Sequence, residues 1–188
     1  MPVATENLIV LAAGGTGGHV FPAEALANEL GNRGYSLALI TDSRGDVYGG
    51  KLAELETFRV RAGGIAGKGP IAKIKSVAEL GIGTWQARGL LKQLKPRAVV
   101  GFGGYASIPT MMAATMSGLK TVLHEQNAVL GRANRLLAGR INAIALSFPE
   151  SRGVPANDAA KVTHTGMPVR NRILEVRDTP YPSFTDDR

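Results

Sequence analysis

At 188 residues, with 44% hydrophobic and only 20% charged side chains, the chain is long enough for one sizeable core and too apolar for a disordered segment. It has no cysteine, which excludes a disulfide framework, a thiolate metal site and a cysteine nucleophile. The net charge is +7, of which +6 falls between Ala62 and Arg97, where Lys68, Lys73, Lys75, Arg88, Lys92, Lys95 and Arg97 are set against Glu79 alone; such asymmetry points to an anionic partner, nucleic acid or a lipid surface.

In chain order, strand and helix patterns alternate. The apolar run Leu8–Ala13 has the length of a buried strand and is too short for a signal peptide or membrane span, so the cytoplasm is the expected compartment. Behind it come Gly14, Gly15, Thr16, Gly17, Gly18 and His19, then a helix expected from His19 to about Asn32 with Pro22 in its first turn. A glycine-rich turn between strand and helix bares backbone N–H groups where the helix dipole favours an anion, by about 0.3–1 kcal/mol when exposed. Further on, the patterns predict a strand at Ser36–Thr41, a weak helix at Lys51–Glu56, a strand at Thr57–Arg61 and a mobile loop at Gly63–Pro70. A long helix follows at Ile71–Leu94, interrupted by Gly81 and Gly83. Then come a strand at Ala98–Gly101, a loop at Phe102–Ser107, a helix at Ile108–Ser117 and a strand at Thr121–His124. The last elements are a helix at Leu130–Gly139 and strands at Ala143–Leu146 and Val162–His164. No internal repeat is evident, and the stretch after Glu175 reads as a linker or tail.

This alternation implies an α/β fold with a doubly wound parallel sheet, in which ligands sit at the carboxyl ends of the strands. Three unusual loops fall there: GGTGGH after the first strand, GFGGYAS after the fourth and HEQN after the fifth. The second cluster, with Gly101, Gly103, Gly104, Tyr105 and Ser107, suits another phosphate, with a ring or chain stacked on Tyr105. The first loop is not a phosphate-binding P-loop, because no Lys-Ser/Thr pair follows its glycines. A dinucleotide fingerprint fits in part: Gly15 and Gly17 fill two positions, Val20 occupies the third, and Asp42 ends the second strand. A non-catalytic module binding NAD(P) or a nucleotide is therefore the rival reading. Nucleic acid is disfavoured, since Trp85 is the only aromatic residue in the basic segment. His19, His124 and His164 lack metal-ligand spacing, so no metal is expected.

Taken together, GGTGGHVFPA, GFGGYAS, LHEQN and TGMPVR give the chain a close resemblance, over about Leu8 to Arg172, to the N-terminal half of the MurG family of peptidoglycan glycosyltransferases. Met167 departs from the asparagine usual before Pro-Val-Arg. The resemblance implies a Rossmann-like N-terminal domain of a GT-B enzyme, an inverting hexosyltransferase that moves N-acetylglucosamine from UDP-GlcNAc to lipid I and makes lipid II without a cofactor or metal. It implies residues 1–174 as the acceptor-side domain and 175–188 as a linker toward a C-terminal donor domain absent from this chain. The glycine loops (Gly14, Gly15, Gly103, Gly104, Tyr105, Ser107) would hold the acceptor diphosphate. His19 would be the general base, with Glu125 supporting or competing. Thr16, Gly17, Gly18, Asn127 and Arg170 would line the donor side.

The long helix carries one more reading. Ile71, Ile74, Ala78, Ile82 and Trp85 form one stripe; Leu80, Ala87, Leu91 and Leu94 form another on the opposite side. The leucine stripe is expected in the core. The isoleucine–tryptophan stripe, flanked by Lys68, Lys73 and Lys75, is expected to meet an anionic membrane. Because the family's acceptor hangs on a polyprenyl chain, this implies a peripheral protein on the cytoplasmic face of the bacterial plasma membrane.

Overall fold

The computed structural model describes residues 7–43, 50–63 and 69–180, with the side chains of Pro70, Ile71 and Lys73 excepted. The expected mobile loop lies largely outside these residues, as do Lys68 and the end of the tail. Seven strands form one parallel sheet: β1 (Leu8–Ala12), β2 (Ser36–Thr41), β3 (Glu56–Arg59), β4 (Ala98–Gly101), β5 (Lys120–Glu125), β6 (Ala143–Leu146) and β7 (Val162–His164). Their order is β3-β2-β1-β4-β5-β6-β7, the doubly wound arrangement extended by one strand. All five residues of β1 are buried, which is why this strand reads as an unbroken apolar run instead of an alternating one.

The helices are α1 (Gly17–Asn32), α2 (Gly50–Ala53), α3 (Pro70–Leu94), α4 (Gly104–Met116), α5 (Arg132–Leu137) and α6 (Asn171–Glu175), with 3-10 turns at Ala138–Arg140 and Ala156–Lys161. Alternate residues of β1 feed two cores. Leu8, Val10 and Ala12 pack with Ala87 and Leu91 of α3 and with Ile108 and Met111 of α4. Ile9 and Leu11 pack with Ala23 and Ala27 of α1. Crossovers that lie on both faces leave a crevice where the connections from adjacent strands diverge, here between β1 and β4.

Three expectations are corrected. α3 runs without interruption through Gly81 and Gly83. A side chain at Gly83 would collide with the carbonyl oxygen of Arg61, so this glycine marks where the helix presses on the β3–α3 connection. α4 begins at Gly104, not Ile108, because Gly103 turns the chain off β4 with φ 82° and ψ −166°, a region essentially restricted to glycine. α1 begins at Gly17, so Pro22 sits inside the helix and not in its first turn. Pro22 is the sixth residue of α1, and Pro109 is likewise the sixth of α4. Neither proline has an N–H, so the Gly18 and Tyr105 carbonyls lack the usual donor four residues ahead. The two glycine-rich helix starts are thus built to one local plan.

Candidate functional site

The β1–α1 loop and the start of α4 press against each other. A Cβ on Gly14 would lie 2.7 Å from both the Ala106 Cβ and the Thr41 Oγ1, so only a bare main chain fits between these elements. Gly15 has φ 90°, which favours glycine for conformational reasons. Thr16 is the exposed N-cap of α1, and its carbonyl accepts the first helical bonds, from His19 N (3.0 Å) and Val20 N (3.2 Å). The amides of Gly17 and Gly18 precede those bonds and belong to the unpaired first turn of a helix.

His19 projects from this turn toward α4. A Cβ on Gly104 would stand 3.1 Å from the His19 Cδ2 and 3.4 Å from its Nε2, so the imidazole lies directly over the glycine. On its other side, His19 Nδ1 is 3.1 Å from the Gln126 Oε1. One half-buried histidine therefore touches the start of α4 and the HEQN loop while belonging to the first glycine loop.

The HEQN loop is tied internally. Glu125 is 1% exposed. Its Oε1 accepts from Asn127 N (3.0 Å) and Asn127 Nδ2 (2.8 Å), and its Oε2 from Gly131 N (2.8 Å) and Asn134 Nδ2 (2.8 Å). The structure thus turns Glu125 inward, where its four accepted bonds organise the β5–α5 connection. His124 is 4% exposed and tilts against Phe102, with 5.9 Å between ring centroids. Burial lowers its pKa from the usual 6.5, against opposing pulls from the Gly166 carbonyl and the Glu125 charge.

Of the remaining candidates, Thr16, Gly17, Gly18 and Asn127 lie on the same sheet edge, and Asn127 is exposed. Arg170 stacks over the Phe21 ring at 3.9 Å and frames a cleft of about 210 Å³ floored by Gly17, Gly18 and Pro22. Met167 is held by a 3.6 Å contact from the Ser147 hydroxyl to its sulfur. Tyr105 is half-buried against the core. Ser107 is not brought to the crevice: it is fully buried, and its hydroxyl donates to the Gly104 carbonyl at 3.1 Å. Asp42, the acid required by the dinucleotide reading, is 1% exposed and lies beside Gly14. Among the described residues, no group of three or more His, Cys, Asp or Glu is placed to hold a metal, and no helix is long and apolar enough to cross a membrane.

Gln126, His124, Asn134 and Phe21 are the site residues that motif reading missed. His124 and Gln126 had a signal in the polar HEQN loop, whereas the contact of the Phe21 ring with Gly17, at 2.8 Å from a Cβ placed there, is seen only in the structure.

A parallel sheet with two glycine-rich helix starts and a histidine at its switch point defines a Rossmann-like α/β domain with a ligand crevice. The chain belongs to the family of the glycosyltransferase family 28 N-terminal domain, which it matches over residues 9–146. It is 61% identical over 180 residues to a Paramagnetospirillum magneticum protein named UDP-N-acetylglucosamine--N-acetylmuramyl-(pentapeptide) pyrophosphoryl-undecaprenol N-acetylglucosamine transferase, covering 96% of this chain and 48% of that one. The Rhodospirillum rubrum protein of the same name is 57% identical, with 94% and 46% covered. In three dimensions the chain is similar to the Acinetobacter baumannii MurG crystal structure, with a TM-score of 0.70, 28% identity and 94% and 50% covered. The chain therefore spans about half the length of the curated relatives it matches.

Proposed function

We propose that this chain is the acceptor-side half of a transferase that moves N-acetylglucosamine from UDP-GlcNAc to lipid I, giving lipid II. The observation that carries the reading is the position of His19, whose ring lies over Gly104 and bonds to Gln126 where three loops meet. The first-turn amides of α1 and α4 suit the acceptor diphosphate, with Gly15, Gly103 and Gly104 keeping the main chain bare; Gly14 serves the close approach beneath them. His19 takes the proton from the acceptor hydroxyl as its oxygen bonds to the anomeric carbon. The bond from that carbon to the UDP oxygen breaks, and UDP leaves with the electron pair. One in-line displacement inverts the anomeric centre without an enzyme nucleophile. Thr16, Gly17, Gly18, Asn127 and Arg170 face the donor, most of whose pocket belongs to a C-terminal domain that follows a linker near residue 175.

The substrate's lipid tail requires a membrane approach, which α3 supports. Leu91 and Ala87 are buried, whereas Ile74 (72%), Val77 (58%), Ile82 (43%) and Trp85 (77%) are exposed. Lys75 lies exposed beside the isoleucines, and Arg88, Lys92 and Lys95 continue along the helix to a groove with Met116. Apolar side chains entering the headgroup layer among cations suit a peripheral position on an anionic surface.

The test is transfer of labelled N-acetylglucosamine to a lipid I analogue by this chain joined to the C-terminal half of a relative. His19→Ala should lower kcat by about 10²-fold or more at unchanged melting temperature. An unchanged rate would refute the assignment of the base. The 188-residue chain alone should give no transfer.

A further inference from the structure

We infer that Gln126 and His124 are positioning residues that hold His19 in the one neutral tautomer able to act as a base toward the crevice. The inference rests on the reading of His19 as the base, but the tautomer itself follows from which atoms can donate and which can only accept.

The Gln126 Nε2 lies 3.1 Å from the backbone carbonyl oxygen of His124. A carbonyl only accepts, so the amino end of the Gln126 amide must point there and its oxygen must point the other way. That oxygen is 3.1 Å from the His19 Nδ1. Since the Gln126 oxygen also only accepts, the His19 Nδ1 carries the hydrogen and donates it. In a neutral imidazole the second nitrogen then has a lone pair. That nitrogen, Nε2, sits beside Gly104 at the start of α4, where the diphosphate is read to bind.

His124 makes the Gln126 orientation self-consistent. Its Nε2 is 3.4 Å from the Gly166 carbonyl, another pure acceptor, so that nitrogen carries the hydrogen. Its Nδ1 is left with a lone pair and accepts from the Gln126 Nε2 at 3.0 Å. Both hydrogens of the Gln126 amino group are therefore engaged, one by the His124 ring and one by the His124 carbonyl. A reversed amide would set oxygen against the His124 carbonyl and an amino group against the His19 Nδ1, forcing the hydrogen of His19 onto Nε2 and removing the base. A protonated His124 would set N–H against N–H, and burial works against that state. The chain of donors thus runs from His19 through Gln126 to His124 on one side only. It starts in the first glycine loop, crosses β5 and ends at Gly166 of the TGMPVR segment, so three of the four quoted motifs take part.

The experiment is nitrogen NMR of the histidine side chains in the 188-residue chain, labelled with ¹⁵N and held above the histidine titration range. The expected wild-type result is His19 with a protonated Nδ1 and an unprotonated Nε2. Observing the opposite tautomer, or an even mixture, would overturn the inference directly and needs no variant. Gln126→Leu removes the acceptor and should shift His19 toward the Nε2–H form that imidazole prefers in water. Gln126→Glu keeps an acceptor facing His19 and should retain the Nδ1–H form. A folded Gln126→Leu chain with the wild-type His19 pattern would also refute the role. If the tautomers behave as expected while His19→Ala leaves turnover intact in the joined protein, the base assignment falls and the positioning stands.

Discussion

Replacing Glu125 by glutamine separates a structural carboxylate from a catalytic one. The wild-type group accepts four hydrogen bonds while 1% exposed, two on each oxygen. Glutamine keeps one oxygen, which can still serve Asn127, but its amino group must face the donors from Gly131 and Asn134. Asn134 has a partial remedy, because its Oδ1 is buried without a partner and a flip of its amide would offer that oxygen to the new amino group. The flip, however, turns an oxygen toward the His124 carbonyl, to which Asn134 Nδ2 now donates at 3.4 Å. The Gly131 N–H has no remedy. Hydrogen bonds to a charged group contribute about 1.5–3 kcal/mol each, so losing one outright and weakening a second should cost about 2–4 kcal/mol. For a domain of this size that is a fall in Tm of about 4–16 °C. Urea denaturation of the 188-residue chain followed by circular dichroism reads the cost directly. A Glu125→Gln chain within about 0.5 kcal/mol of wild type, with the same denaturant slope, would refute the organising role. A base facing the crevice predicts the opposite pattern, lost turnover at unchanged stability.

Gly104→Ala adds a methyl 3.1 Å from the His19 ring at a position with φ 71°. Transfer by the joined protein should fall at least about tenfold, and the NMR signals of His19 should shift even where the fold survives. The burial-lowered pKa of His124 means that the unfolded chain binds the extra proton more readily. Stability is therefore full above pH 6.5 and is lost as the pH falls, by at most about 1.4 kcal/mol per pH unit. His124→Gln should flatten that part of a pH series of denaturation midpoints, and an unchanged slope would reject the assignment. Trp85 is the sole tryptophan and is exposed, so its emission should shift to the blue on anionic vesicles, not on neutral ones, and return in high salt. Ile74→Glu should abolish the shift; indifference to lipid charge would remove the membrane reading.

Most strand positions were legible because central parallel strands are apolar on both faces. β2, β4, β6 and β7 have the bounds expected of them, β1 is one residue shorter at its end, and β3 and β5 differ by one or two residues at each end. The start of α4 was not legible: GGYAS reads locally as a loop, and only the backbone of Gly103 shows that the helix begins directly behind it. Gly83 looked like a helix breaker because its reason, the Arg61 carbonyl, comes from a different element. The glycine loops and His19 were legible as a site because strand–glycine–helix spacing is local. The network around Gln126 was not. Its content is the direction of an amide set by His124 and a carboxylate set by Asn134 nine positions away, and neither leaves a periodic trace in the chain. The pairing of Phe21 with Arg170 is more distant still.

Why the three loops meet at all is a matter of strand order. β1 pairs with β2 on one side and β4 on the other, and β4 pairs with β5. The loop leaving β1 turns into α1, which packs on one face, while the loop leaving β4 turns into α4, on the opposite face. Divergence opens the crevice, and the cross-packing of Gly14 on Ala106 keeps it narrow enough for the His19 imidazole to span it. β5 lies one strand further, so its loop reaches the crevice only if it folds back. The bonds that Glu125 accepts from Gly131 and Asn134 hold that fold, and Gln126 then arrives beside His19. Loosening Glu125 should therefore also disturb the tautomer of His19, although the two side chains share no bond. Glu125→Gln in the same NMR measurement should yield a mixed His19 signal; a pure wild-type pattern in a destabilised chain would mean that Gln126 reaches His19 without the bonds to Glu125.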